Sequence, residues 1–255
     1  MLPAATERIL SELPDDAQVL DVGAWAAPFN RADWVLDLMP YETRGAMGSY
    51  GPRDERFSAK TWVVRDICDR KPWPFADDQF DFSICVTTLE DVRDPIWVCS
   101  ELSRVSKAGY VEVPTIEAEL IFNVEGDGPW LGHDHHRWFC DLEAEGLVFT
   151  HKLHSIHDDW TLRVLPRWRE QMALEDHLLG CFWEGELHAR ERVLLGPQEH
   201  AAFREELRDR VRAKFEPSST ELRVKEARDA ARHAAALAAK PARRAAGNLL
   251  GRMRG

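Results

Sequence analysis

The stretch VLDVGAWAAPF, Val19–Phe29, decides the fold. Val19 to Val22 is a short strand-like run that carries an acid at Asp21 and stops at Gly23. Sixteen residues after Asp21, a second such run, VLDLMP, again ends on an acid, Asp37. A strand entering a glycine-containing turn ahead of a helix aims backbone N–H groups and a positive helix end at a ligand. The carboxylate that closes the next strand then stands where it can hold a ribose diol. The two runs together predict an adenosine-cofactor site on an α/β sheet.

Working outward, a first helix is expected over Ala4 to Leu13, with Ile9, Leu10 and Leu13 as its apolar edge before Pro14. Further strands are expected at Gln18 to Val22, Trp34 to Leu38, Thr61 to Val64, Phe80 to Val86 and Tyr110 to Val113, all short and rich in β-branched or aromatic residues. Between the last two, Ile96, Val98, Cys99, Leu102 and Val105 recur at near-helical spacing behind Asp94-Pro95, an N-cap and a first-turn proline. Strand, helix, strand implies parallel pairing. Tyr41 to Lys60 reads as a long loop, and RWFCDLEAEGLVFTHK, Arg137 to Lys152, as a β-hairpin turning at Ala144 to Gly146. A short helix and a strand are both compatible with Asp158 to Leu165. Cys181 to Leu195 reads as a strand pair around Glu184-Gly185-Glu186, and Pro197 opens a helix to about Lys214 with Phe203, Leu207 and Val211 on one face.

Composition bounds the class. The chain has 255 residues, 44% hydrophobic and 30% charged, and no run nears the roughly 18 apolar residues of a membrane span. The N-terminal residues carry no basic leader or apolar segment, so the cytoplasm is the expected compartment. Five scattered cysteines argue against a disulfide framework and against a cysteine-based zinc site. A net charge of −11 disfavours nucleic acid as a partner. From Glu221 onward the balance reverses, nine Arg or Lys facing three acids, in an Ala/Arg-rich tail expected to be a frayed helix or disordered and a solvated appendage, with peripheral contact to an anionic membrane or a partner as the alternative.

Two further stretches follow in order. DICDRKPWPFADDQFDFSICVTTLEDVRDP, Asp66 to Pro95, and ELSRVSKAGYVEVPT, Glu101 to Thr115, join the opening run and Asp37 in a pattern that resembles the class I S-adenosylmethionine-dependent methyltransferases, of the small-molecule type. The resemblance spans about Val19 to Thr115. It implies an α/β fold with a doubly wound, Rossmann-like, mostly parallel sheet, helices on both faces, and a C-terminal β-hairpin and helical extension. It also implies S-adenosylmethionine as cofactor and a methyltransferase activity. Asp21 and Gly23 would then meet the methionine moiety, Asp37 the ribose, Asp66 and Ile67 the adenine, while Val86 and Thr87 would line the passage to the acceptor. The chain departs from the family in having Trp25 at the second glycine of the usual turn, where the indole either obstructs the backbone or packs near the sulfonium as a cation–π partner. It departs again in Glu90-Asp91, where the family has Glu-His.

The acceptor side rests on GHDHHRWF, Gly132 to Phe139. Six of the ten histidines fall between His133 and His157. An oxygen acceptor needs its proton removed, and His133, His135 and His136 are the candidate bases. Trp130 and Trp138 offer stacking surfaces, and Arg137 a group for an anionic or polyhydroxylated acceptor. Structural imidazoles bonded to backbone and carboxylates are the competing reading. A metal site with Asp134 or Asp127 is another, but HExxH-type spacing is absent, so no metal is assigned. The expected activity is O-methylation of a small molecule or glycan. Carbon methylation of a quinone-like ring and a turnover-free binding protein are the alternatives. The expected division is a core over 1–166, including an acceptor segment at 115–157, an extension over 167–216 and the tail at 217–255.

Overall fold

The five strands expected from the N-terminal half form a parallel sheet: β1 (Val19–Val22), β2 (Trp34–Asp37), β3 (Trp62–Val64), β4 (Phe82–Val86) and β5 (Ala108–Pro114). This is a computed structural model, and it describes residues 1–125 and 128–215 together with 224, 227, 228 and 231. Apart from those four positions, the tail expected over 217–255 lies outside the described residues, as does Asp127. Residues Met1–Leu207 form one compact unit and a second begins at Arg208.

The anticipated hairpin is present as β6 (Trp138–Glu143) and β7 (Gly146–His151), antiparallel with Glu143 opposite Gly146. Two strands follow, β8 (Leu178–Glu184) and β9 (Ala189–Glu191). They are not the pair expected around Gly185. β8 runs antiparallel along β5, and β9 runs parallel to β7. The main sheet therefore has the order β3-β2-β1-β4-β5-β8. β5 decides the matter: its outer edge offers seven register positions to β8, more backbone hydrogen bonds than a short strand such as β9 can supply. Gly109 and Gly180 keep that contact close, since a Cβ on Gly109 would lie 2.6 Å from the Trp183 ring and one on Gly180 would lie 2.3 Å from the Tyr110 hydroxyl.

Strand alternation sends Val19, Val35, Ile84 and Tyr110 to one face and Leu20, Leu36, Cys85 and Val111 to the other. A helix covers each. On the first face α1 (Pro3–Glu12), begun by Pro3, buries Ala5 and Ile9. On the second α2 (Pro95–Val105) buries Val98, Cys99, Leu102 and Val105, joined by Trp138, Cys140, Leu147 and Phe149 of the hairpin. Asp94 caps α2 by accepting from the Trp97 amide at 3.1 Å, ahead of Pro95.

The helix expected after β1 does not form. Residues 23–33 are loop and turn, because eleven residues containing Pro28 are too few for a helix and its two connections. The next crossovers hold a 3-10 turn at Tyr41–Thr43, within the segment expected as a long loop, and an irregular segment broken by Pro72 and Pro74. Three single-turn helices, α3 (Ile116–Glu119), α4 (His154–His157) and α5 (Leu174–His177), punctuate the second half, and α6 (Gly196–Lys214) buries Phe203 and Leu207. Trp160–Leu162 is a short 3-10 helix, the helical one of the two alternatives weighed for that segment. All five cysteines are unpaired. No helix among the described residues is long and apolar enough to cross a membrane.

Candidate functional site

Every parallel strand of the main sheet contributes its carboxyl end, or the turn just beyond it, to one cavity of about 1320 Å³, where open α/β sheets bind ligands. Gly23 and Trp25 come from the turn after β1, Asp37 from the end of β2, Asp66 and Ile67 from beyond β3, Thr87, Thr88, Glu90 and Asp91 from beyond β4, and Pro114 from β5. His133, His135, His136 and Arg137 belong to the same lining. Residues more than one hundred positions apart thus share one wall.

Around the turn after β1 and the end of β2 the acids are already engaged. Asp21 is buried and does not line the cavity; its Oδ2 accepts from the Phe29 amide at 2.9 Å and closes the turn. Burial pushes its carboxyl up to about 8, against the pull of that hydrogen bond and with a smaller push from Asp37. In this arrangement the carboxylate of Asp21, expected at the methionine moiety, holds the turn after β1. Asp37 does line it. Its Oδ2 accepts from the Trp25 amide at 2.8 Å and Oδ1 from the Met39 amide at 2.7 Å. Burial raises its carboxyl, and these two amides pull it back in part. Trp25 keeps its half-buried ring in the lining, with Nε1 donating to the Thr43 hydroxyl at 2.9 Å. Gly23 has φ +75° and meets the Thr88 side chain so closely that a Cβ would lie 2.3 Å from Thr88 Oγ1. Its glycine is thus demanded by the protein itself, before any ligand.

Asp66 accepts from the Cys68 amide at 2.8 Å and from Arg93 at 2.7 Å. Its partial burial would raise the carboxyl, but Arg93 and the Cys68 amide outweigh that and hold it below the ordinary range. Thr87 adopts φ +46°, a left-handed conformation unfavourable for a β-branched residue, while its amide donates to Glu112 O at 2.7 Å. Val86, the residue before it, packs toward the α1 side of the sheet and is absent from the lining.

The histidine segment is latched to the turn beyond β4, with the Arg137 and Trp138 amides donating to Glu90 O at 2.7 and 3.2 Å. His136 Nδ1 lies 2.7 Å from Glu119 Oε1, and Lys152 Nζ lies 2.6 Å from Glu119 Oε2. Burial alone would raise the Glu119 carboxyl; the His136 hydrogen bond and the Lys152 charge overcome it and lower it. His133 Nδ1 lies 2.7 Å from Glu125 Oε1, and His135 Nδ1 lies 3.3 Å from Asp134 Oδ1. Glu90 is buried with Oε2 unpartnered, and burial, with Asp91 and Glu119 nearby, drives its carboxyl well above the ordinary range. The imidazoles come from an irregular segment between Leu131 and β6.

Two predicted acceptor residues stand elsewhere. Trp138 is a core residue, packed 6.4 Å from Phe149 and donating Nε1 to Val92 O at 2.8 Å, because its β6 position points into the α2-side core. Trp130 lies edge-on to His157 at 5.3 Å and is not part of the lining. Sequence reading missed Thr88, Glu119 and Glu125. Thr88 follows the quoted Val86-Thr87 pair directly, but only the Gly23 contact reveals its use. The two glutamates sit 14 and 8 residues before His133 in chain order, with no motif to mark them.

No family model matches the sequence, and no curated protein sequence matches it. Among solved structures, similar folds include a SAM-dependent methyltransferase from Aquifex aeolicus, at 19% identity and TM-score 0.29 over 44% of this chain and 64% of that one. Another is an S-adenosylmethionine-dependent methyltransferase from Mesorhizobium loti, at 15% identity and TM-score 0.30 over 57% and 63% of the two chains. A third is the [4+2]-cyclase SpnF, at 15% identity and TM-score 0.32 over 44% and 45%. In each case the chain spans less than two thirds of the solved protein, and the fold described above rests on this chain's own strand order.

Proposed function

We propose that the chain binds S-adenosylmethionine and transfers its methyl group to an oxygen of a small molecule or glycan. The observation that carries this reading is the single cavity in which strand-end turns and the histidine segment share one lining. Methyl transfer from a sulfonium is an in-line displacement with an activated leaving group, so alignment of donor and acceptor in a common space is its main requirement. The charge of the lining supports a cationic ligand. Six carboxylates (Asp37, Asp66, Asp91, Glu119, Glu125 and Glu170), beside a Glu90 that burial favours in its neutral form, stand against three arginines (Arg93, Arg137 and Arg169), and no helix N-terminus follows β1. A pyrophosphate-bearing dinucleotide finds neither the dipole nor the positive field it needs there, whereas a sulfonium and an ammonium are favoured.

In this reading Asp37, whose oxygens keep lone pairs beyond the two amides, receives the ribose hydroxyls, Trp25 offers its ring face to the cation, and Asp66 and Ile67 flank the adenine. Gly23 lets the β1 turn approach the ligand, and Thr87 borders the route to the acceptor. The histidine cluster activates the acceptor hydroxyl, and exposed Arg137 engages an anionic or polyhydroxylated acceptor. Five unpaired cysteines fit a reducing compartment, the cytoplasm. Residues 1–166 are the catalytic part in this reading, 167–216 an extension of it, and 217–255 a basic tail suited to peripheral contact.

A second reading, ligand binding without turnover, draws on the Trp25 amide being committed to Asp37 and on the missing helix after β1. Calorimetry with S-adenosylmethionine and with its demethylated product tests both readings. Saturable binding is expected, and Asp37→Asn should weaken it by about tenfold or more, the value of a lost charge-assisted hydrogen bond. Unchanged affinity in a variant of unchanged melting temperature would remove Asp37 from the site. Transfer of labelled methyl from the cofactor to a component of a metabolite extract separates the enzyme from the binder.

A further inference from the structure

His133, His135 and His136 converge more closely than a lone general base requires. One ligand-capable atom from each of the three lies within 4.8 Å of the other two. Their rings pack together, with centroids 4.6 Å apart for the tilted pair His133 and His136 and 4.7 Å for the edge-on pair His135 and His136. Two of the rings are held from behind: Glu125 lies 2.7 Å from His133 Nδ1 and Glu119 lies 2.7 Å from His136 Nδ1. A carboxylate on one ring nitrogen fixes the tautomer and leaves the lone pair of the other, Nε2, for a ligand, which is how metal-binding imidazoles are oriented. Glu119 is itself fixed by buried Lys152 at 2.6 Å.

Asp91 supplies the independent observation. Its Oδ1 is buried and accepts no hydrogen bond, although it lies only 3.9 Å from His136 Nε2. The other oxygen, Oδ2, lies 3.9 Å from His135 Nε2. A buried carboxylate oxygen without a donor costs free energy, and its neighbours are ring nitrogens rather than a lysine or arginine. A cation between them satisfies both sets of lone pairs.

We propose that His133, His135, His136 and Asp91 bind one divalent transition-metal ion of the zinc class in the acceptor half of the cavity. Three imidazoles and one carboxylate suit zinc and its neighbours, whereas magnesium and calcium take all-oxygen sets. Zinc–nitrogen bonds of about 2.1 Å put tetrahedral ligand atoms about 3.4 Å apart, so the cluster closes by side-chain rotation in an irregular segment. The ion also gives Asp91 a use, at the position where the resemblance noted above has a histidine.

The role of the ion rests on the methyl-transfer reading. An acceptor hydroxyl that enters as a fifth ligand, the coordination expanding as zinc allows, loses its proton to solvent more readily, as a zinc-bound water does. The oxygen lone pair then forms the bond to the methyl carbon while the carbon–sulfur bond breaks, its electron pair remaining on sulfur to leave a neutral thioether. The imidazoles act as ligands in this step, and none needs to carry the proton.

Calorimetric titration of the full chain, stripped with chelator, with zinc chloride and without cofactor tests the site. One equivalent is expected to bind saturably, and His133→Ala, His135→Ala or Asp91→Asn is expected to weaken it at least tenfold. His135 is exposed, so its variant keeps the fold, with circular dichroism as the check. His154→Ala and His188→Ala, outside the cluster, should leave binding unchanged. Absence of saturable uptake by folded protein overturns the proposal, as does equal uptake by a His133→Ala/His135→Ala double variant. Zinc uptake without S-adenosylmethionine binding would leave the ion site standing and remove the methyl-transfer reading. Cofactor binding without zinc uptake would do the reverse.

Discussion

Gly23 and Lys152 concentrate what single residues do here. Gly23 combines φ +75° with three Thr88 side-chain atoms within 2.8 Å of where its Cβ would be. Gly23→Ala is therefore both strained and overpacked, and urea unfolding should report a loss of about 2 kcal/mol or more. Adding Thr88→Ala should recover the packing part and leave the conformational part. Lys152 and Glu119 are each 1% exposed and 2.6 Å apart, a buried pair that also anchors His136. Lys152→Met strands the carboxylate, with an expected cost of about 3–5 kcal/mol by denaturant titration. Glu119→Gln/Lys152→Met should cost less than Lys152→Met alone, because no uncompensated charge remains. A larger loss in the double variant would show that the pair is not the source.

Elements owe their bounds to local chemistry and their partners to edges. α2 begins where Asp94 accepts from the Trp97 amide and Pro95 needs no N–H acceptor, so its start was readable from two residues. Asp94→Ala should lower stability by about 1 kcal/mol, read as a shift in the urea midpoint with unchanged slope. The loss of the exposed Arg70 contact adds little to this. β8 and β9 show the opposite case. Both strands were legible as β-rich runs, yet the choice of β5 and β7 as their partners belongs to edges formed far away in the chain. The loop after β1 was misread as a helix approach because a strand and a glycine precede it in many sheets. Eleven residues with Pro28 are too short for that geometry.

At the scale of the whole molecule, burying acids in the sheet end sets how stability responds to pH. The folded-state carboxyl of Asp21 is raised from 3.8 to about 8, so the folded protein binds more protons than the unfolded chain between those values. Stability from this group is fully present below about pH 4 and is lost as pH rises toward 8. Glu90 acts in the same direction. Glu119 and Asp66, whose carboxyls are lowered, contribute stability above the ordinary carboxylate range that is lost on acidification. Asp21→Asn should remove its share, so the difference in unfolding free energy between about pH 5 and about pH 8 should shrink, as urea titrations at the two values will show. Asn keeps an oxygen for the Phe29 amide, so the turn persists. An unchanged difference would mean that Asp21 titrates normally in the folded protein.

The sequence by itself determined the parallel sheet, the helix on each face, the hairpin and the strand-end position of Asp37, because those follow from alternation, helical spacing, caps and turn residues within a dozen positions of one another. It also set His133, His135 and His136 within four positions of one another. Only the tertiary structure decided which of the chosen residues reach the cavity. Asp21 turns to the Phe29 amide, Val86 to the α1-side core and Trp138 to the α2-side core, since a one-residue step along a strand exchanges one face for the other. The tertiary structure likewise set Glu119, Glu125 and Asp91 around the three imidazoles. Their separation along the chain carries no local signal, and the packing of the histidine segment against the turn beyond β4 is what brings them together.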